Sequence, residues 1–121
     1  MLTKRLPVVA GSFYPADCRV LGEEINRYLA LAPNSELIPK ALIVPHAGYI
    51  YSGAIAAAGY STLRSIASRI RRVVMLGPAH RVALRGVALP GVDSFMTPLG
   101  QVDIDADAVE RIKNLPQVIV N

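Results

Sequence analysis

The period at which apolar residues recur changes several times along this chain, and each change marks an element. Pro7 to Pro15 is an apolar loop of small residues. From Asp17 to about Ala32, Val20, Leu21, Ile25, Tyr28 and Leu29 fall on one helical face while Arg19, Glu23 and Arg27 fall elsewhere. That pattern predicts an amphipathic helix with Asp17 as N-cap, stopped by Pro33-Asn34-Ser35. Ala41–Val44 is a short unbroken apolar run, as in strands buried on both faces, and it ends at Pro45-His46. A second helix is expected from near Ser52 to Ala67. Its opening stretch, Gly53 to Gly59, has small side chains that let a helix lie close to a sheet. Arg72-Val73-Val74-Met75-Leu76 predicts another buried strand, ending at Gly77-Pro78-Ala79-His80. Val87–Leu89 forms a third apolar run. Asp105 or Asp107 caps a helix with Val109, Ile112 and Leu115 on its face, and Val118-Ile119-Val120 starts a further strand.

Strand, helix and strand in this order predict an α/β fold with a mostly parallel sheet and right-handed βαβ crossovers. The 121 residues fit one domain. Hydrophobic residues make up 52% and charged residues 18%, against roughly 25% charged in ordinary globular proteins. Such a composition excludes disorder as the main state. It is also more apolar than a small domain needs, because small domains bury a lesser share of their surface. The expectation is that residues 1–121 are the N-terminal part of a single larger α/β domain. Such a part would expose a sheet edge and an apolar face, be inactive by itself, and either pair into a homo-oligomer or occur as a cut piece of a longer chain.

Charge adds a local feature. The net charge is +4, but residues 61–90 hold Arg64, Arg69, Arg71, Arg72, Arg81 and Arg85 and no acid. Residues 91–121 hold five acids and two bases. The arginine window is either a solvated helix end with loops or an anion-facing surface. It has no interleaved aromatics and no nucleic-acid motif, so nucleic acid is not an expected partner. Residues 41–63 carry no charge, but Pro45, Gly48, Gly53, Gly59 and three tyrosines break the stretch into a strand and a helix, and no membrane span is expected. One cysteine, Cys18, excludes a disulfide framework within the chain and fits a reducing compartment, here taken as the cytoplasm.

The chain has two histidines, His46 and His80, each just after a predicted buried strand and each sharing its turn with a proline. In parallel α/β sheets, ligand groups gather beyond the carboxyl ends of strands. Neighbouring strands lie about 4.8 Å apart, so both imidazoles could converge on one divalent metal. Two histidines leave the ion incompletely held. Asp93 is the one acid expected near a strand end, and it reads better as a turn residue with Ser94. The third ligand is therefore expected outside this chain. Tyr49 and Tyr51 flank the site, one pointing inward and one outward, and Phe13 and Tyr14 form an aromatic wall. Phosphate loops and nucleophile elbows are absent from the sequence.

Four segments are distinctive together: Ala10-Gly-Ser-Phe-Tyr-Pro15, Pro45-His-Ala-Gly-Tyr-Ile-Tyr-Ser-Gly53, Leu76-Gly-Pro-Ala-His-Arg81 and Thr97-Pro-Leu-Gly100. In type and order they resemble the Memo family. Its animal members are named as mediators of ErbB2-driven cell motility and its microbial members as protein B of the AmmeMemoRadiSam system. The resemblance implies a fold similar to class III extradiol dioxygenases, which use non-haem iron. It implies metal-site roles for His46 and His80, and a pocket lined by Phe13 and Tyr51. The family's third ligand is a downstream cysteine that Cys18 does not match, and animal members carry Trp where this chain has Phe13. The expected cofactor is thus a divalent metal, Fe(II) first, with Cu or Zn as alternatives. Two functions stay open. One is a dioxygenase-like or redox site taking a small molecule. The other is an adapter that binds a phosphorylated or acidic peptide through the same pocket and an arginine rim that includes Arg81.

Overall fold

A computed structural model describes residues 2–120 as a mixed α/β protein with two compact units. One unit is Pro7–Arg71. The other joins the N-terminal residues up to Leu6 with the chain from Arg72 onward.

The first unit is built on two packed helices. α1 spans Cys18–Leu31, and the Asp17 carboxylate accepts the Val20 N–H at 2.9 Å, satisfying one donor of the first turn. Leu21 is buried and Ile25, Tyr28 and Leu29 are half-buried. α2 spans Tyr49–Ser61, with Gly48 as its N-cap. Gly53 permits the close approach of the helices: a Cβ there would lie 2.7 Å from the Tyr28 ring. Gly59 does the same against Val44, whose Cγ1 would be 2.7 Å from an added Cβ. The small-residue stretch therefore meets a helix on one side and the Ala41–Val44 run on the other.

α2 begins and ends earlier than its periodicity predicts. Its end carries the reason. Ser61 Oγ donates to the Ala58 carbonyl at 2.8 Å and Thr62 Oγ1 to the Gly59 carbonyl at 2.7 Å. Hydroxyls bonding back to nearby carbonyls compete with the helical ladder. The chain then turns through residues 62–66 into a single 3₁₀ turn at Ala67–Arg69. Arg64 is tied to the Leu29 carbonyl and to Asn34 Oδ1, so this arginine serves the fold.

The second unit holds two small sheets. β1 (Lys4–Arg5) runs parallel to β3 (Ser94–Thr97), and β3 is antiparallel to β4 (Gly100–Asp103), in the order β1-β3-β4. β2 (Val87–Leu89) runs parallel to β5 (Val118–Val120). Between β4 and β5 lies α3 (Ala106–Ile112), so β2 and β5 are joined by a connection that contains a helix. Of the two aspartates offered by the sequence, Asp105 is the cap: it accepts the Ala108 N–H at 2.9 Å and an ion pair from Arg72. Gly86 enters β2 at φ +102°, where a Cβ would run into the Gln117 carbonyl. The β3–β4 turn uses Pro98-Leu99, with Gly100 at φ +133°.

Two expected strands are not formed. Ala41–Val44 and Arg72–Leu76 lie outside every ladder among the described residues. Ile43 is fully exposed, and Val73, Val74, Met75 and Leu76 are all mostly exposed. A strand needs hydrogen-bonded neighbours, and a run apolar on both faces also needs cover above and below. Among the described residues neither run has a ladder partner, and residues 41–44 are covered by α2 on one side only. The core is correspondingly thin, with Leu21, Ala57 and Leu89 as its buried hydrophobic side chains among the described residues.

Candidate functional site

The Pro7–Arg71 unit contains a cleft of about 530 Å³ between α1, α2 and two loops. The first loop is residues 9–14. Phe13 N–H donates to the Val9 carbonyl at 2.9 Å, Gly11 N–H to the Tyr14 carbonyl at 2.7 Å, and Gly11 sits at φ +83°. This tight loop is bonded to the start of α2: the Tyr49 N–H donates to the Phe13 carbonyl at 2.8 Å. Gly48 packs against the same loop, with its Cβ position at an ordinary contact distance of 3.5 Å from that carbonyl oxygen. The second loop, Pro45-His46-Ala47, is held by Ser52, whose Oγ donates to the Ala47 carbonyl at 3.1 Å.

Aromatic rings dominate the walls. Tyr49 is central: its ring centroid lies 5.7 Å from that of Tyr14 and 6.3 Å from that of Tyr28, the latter edge-on. Tyr28 Oη donates to the Tyr49 carbonyl at 3.2 Å, fixing the two helices at that level. Phe13 and Tyr60 add further ring surface. Burial, and after it the neighbouring Tyr14, Glu24 and Tyr60, pushes the Tyr49 hydroxyl above its ordinary value. It therefore stays a neutral donor throughout the physiological range. Among the described residues, no Lys, Arg, Asp or Glu lines this cleft.

His46 lies at the exposed rim of the cleft. The strand end expected to carry it is absent, and the approach to α2 positions it instead, two residues before the Gly48 cap. Tyr49 faces the cleft and Tyr51 does not: Tyr51 is largely exposed. Two positions on a helix are rotated by roughly 200°, so Tyr49 and Tyr51 diverge, and Tyr51, which the resemblance puts in the pocket, lies outside this cleft. Phe13 belongs to the same cleft as His46. His80 and Arg81 belong to the other unit, in the exposed segment between Gly77 and Gly86. Asp93, read above as a turn residue, ties down the N-terminal strand: its Oδ2 accepts the Thr3 N–H at 2.6 Å and the Thr3 hydroxyl at 2.9 Å. Those bonds hold its carboxyl below the usual carboxylate range. Among the described residues, no group of three or more His, Cys, Asp or Glu side chains is placed to hold a metal ion.

Sequence reasoning missed Tyr28, Tyr60 and Ser52 as cleft residues. Tyr28 had been assigned to a packing face, where tyrosines are ordinarily found. The glycine facing it, Gly53, was the available signal, since it marks where a ring is close to backbone.

The family model described as "Memo-like protein" matches residues 5–121. This chain belongs to the Memo-like family. It is 38% identical over 112 residues to the MEMO1 family protein of Aquifex aeolicus, covering 93% of this chain and 40% of that relative. It is 43% identical over 96 residues to Protein MEMO1 of Xenopus tropicalis, covering 79% of this chain and 32% of the relative. A nematode relative, the memo-1 homolog of Caenorhabditis elegans, is 38% identical over 104 residues. The chain spans less than half the length of these relatives. Family membership covers both units, since the match runs through Arg71 and Arg72 without a break.

Proposed function

We propose that this chain supplies part of a metal-binding, dioxygenase-like pocket in a Memo-like protein, with His46 and His80 as two of the ligands. The observation that carries the reading is the aromatic cleft with His46 at its rim. Neutral imidazole suits Fe(II), and also Cu or Zn, and the donor types fit such an ion. The described residues do not complete the set, so a third ligand comes from outside them. When bound, the ion would supply Lewis-acid or redox chemistry at the mouth of the cleft. The chain's own groups then have distinct tasks. Phe13, Tyr14 and Tyr49 hold an apolar or planar molecule and exclude water, and the neutral Tyr49 hydroxyl orients it by a hydrogen bond. The fold proposed with this site is α/β with a mostly parallel, extradiol-dioxygenase-like sheet. An exposed free thiol at Cys18 fits a reducing, cytoplasmic setting.

Metal analysis decides the matter. The chain joined in one polypeptide to the unmatched portion of a Memo-like relative, and its His46→Ala/His80→Ala variant, are loaded anaerobically with Fe(II), and separately with Cu and Zn, then desalted and assayed for bound metal. The variant is expected to retain far less than the parent. Equal metal in both ends the proposal.

A further inference from the structure

Ser52 is a buried polar side chain that reaches the histidine loop from α2. It lies near the start of that helix and is 8% exposed. Its N–H serves the helix, donating to the Gly48 carbonyl at 3.1 Å. Its hydroxyl does not. Ser52 Oγ donates to the Ala47 carbonyl at 3.1 Å, five residues back and outside the helix. Serine hydroxyls that bond back within a helix reach carbonyls three or four residues away. Ser61, at the far end of α2, behaves in that ordinary way, donating to the Ala58 carbonyl three residues back. A buried hydroxyl deprived of its partner is costly, so the bond to Ala47 is kept.

The loop needs such a hold. Ala41–Val44, which leads into it, joins no ladder among the described residues. Pro45 brings no N–H with which to bond. The backbone of His46 is therefore fixed from its C-terminal side. Ala47 is tied to Ser52, Gly48 is buried, and the Tyr49 N–H is tied to the Phe13 carbonyl. Metal sites tolerate little error, with ligand distances held within about 0.2 Å. Groups that orient a ligand without touching the ion affect affinity strongly.

We infer that Ser52 is a positioning residue for His46: by holding the Ala47 carbonyl, it sets the backbone from which the imidazole reaches a metal ion. This role rests on the reading of His46 as a ligand and adds a residue to it. Ser52 is not itself a ligand, because its hydroxyl is buried and committed to Ala47.

Two measurements test the role, one with metal and one without. In the joined polypeptide used for metal analysis, Zn(II) affinity is measured by chelator competition and Cu(II) geometry by electron paramagnetic resonance. Ser52→Ala is expected to weaken Zn(II) roughly tenfold, the lower end of the range for outer-shell partners, and to change the Cu(II) spectrum. Ser52→Thr, which keeps a hydroxyl, should restore both. Ser61→Ala is the control, since it removes a buried hydroxyl of the same helix that bonds away from the loop. It should lower the unfolding midpoint and leave affinity and spectrum unchanged. Parental affinity and spectrum in Ser52→Ala overturn the inference. So does a change that Ser61→Ala shares or that Ser52→Thr does not restore. The second measurement is nitrogen-15 relaxation of the chain alone, without metal. Faster motion at the His46 and Ala47 amides in Ser52→Ala, absent from Ser61→Ala, supports the hold on the loop, and unchanged motion overturns it. A parent that binds no metal ends the ligand reading and the role built on it, whereas a parent that binds metal with Ser52→Ala unaltered ends the role of Ser52 alone.

Discussion

Gly53 shows how one missing side chain sets the shape of the candidate site. The Tyr28 ring lies over it, held by its hydroxyl to the Tyr49 carbonyl and by its edge against the Tyr49 ring. Gly53→Ala gains about 1 kcal/mol of helix propensity but overpacks a held ring, which costs about 1–3 kcal/mol. The expected outcome is a net loss of roughly 1 kcal/mol by urea denaturation, with loss of the Tyr28–Tyr49 cross-peaks in NMR spectra. Asp93 makes a prediction of a different kind. Its carboxyl is lowered in the folded state, chiefly by the Thr3 backbone N–H and then by the Thr3 hydroxyl. The stability it contributes is therefore fully present above its unfolded value, about 3.9, and is lost as pH falls through the lower folded value. The urea midpoint of the parent should fall more steeply below about pH 4 than that of Asp93→Asn. Parallel curves would show that the Thr3 bonds carry no linkage.

At the level of elements, the helices were more legible than the strands. α1 and α3 begin where their aspartates fall, because an N-cap is a local device that works within four residues. Asp105→Ala removes both the cap of α3 and the partner of Arg72. The expected cost is about 1 kcal/mol, mostly from the cap, since exposed ion pairs add little. Thermal unfolding followed by circular dichroism would check it, and Arg72→Ala should cost less than Asp105→Ala. The β3–β4 hairpin was not visible in the sequence. Its turn is Pro98-Leu99 and not an Asn-Gly type signal, and β4 is exposed throughout, so no apolar alternation marks it. Local hydroxyl bonds of Ser61 and Thr62 to carbonyls three residues back accompany the end of α2, and hydrophobic periodicity does not register such bonds.

For the molecule as a whole, apolar surface left in water is the governing fact. Val73–Leu76 and Ile43 are exposed in a chain whose buried hydrophobic residues, among those described, are Leu21, Ala57 and Leu89. Contiguous apolar patches of this kind bind hydrophobic dyes and favour association. The chain alone is expected to enhance anilinonaphthalene sulfonate fluorescence. Replacing Val74 by Lys and Met75 by Glu should reduce that signal at least severalfold while leaving the unfolding midpoint within experimental error. An unchanged signal would place the dye elsewhere, for example in the Tyr14–Tyr28–Tyr49 cleft. The cleft with His46 lies within one unit, and His80 belongs to the other.

Local chemistry could be read from residue order alone: the aspartate caps, the small-residue face of α2, the aromatic loop at residues 10–15 and the two histidine turns that point to the Memo-like family. These depend on interactions a few residues long, or on motifs kept in linear order. Only the tertiary structure decided that Tyr28 and Tyr60 line the same cleft as Phe13 and His46, and that the apolar runs at residues 41–44 and 73–76 lack strand partners. A strand is a property of at least two segments, and its hydrogen bonds exist only when the second arrives. The physical reason for the division is therefore range: caps and faces are satisfied locally, whereas ladders and clefts depend on what is brought in from far along the chain.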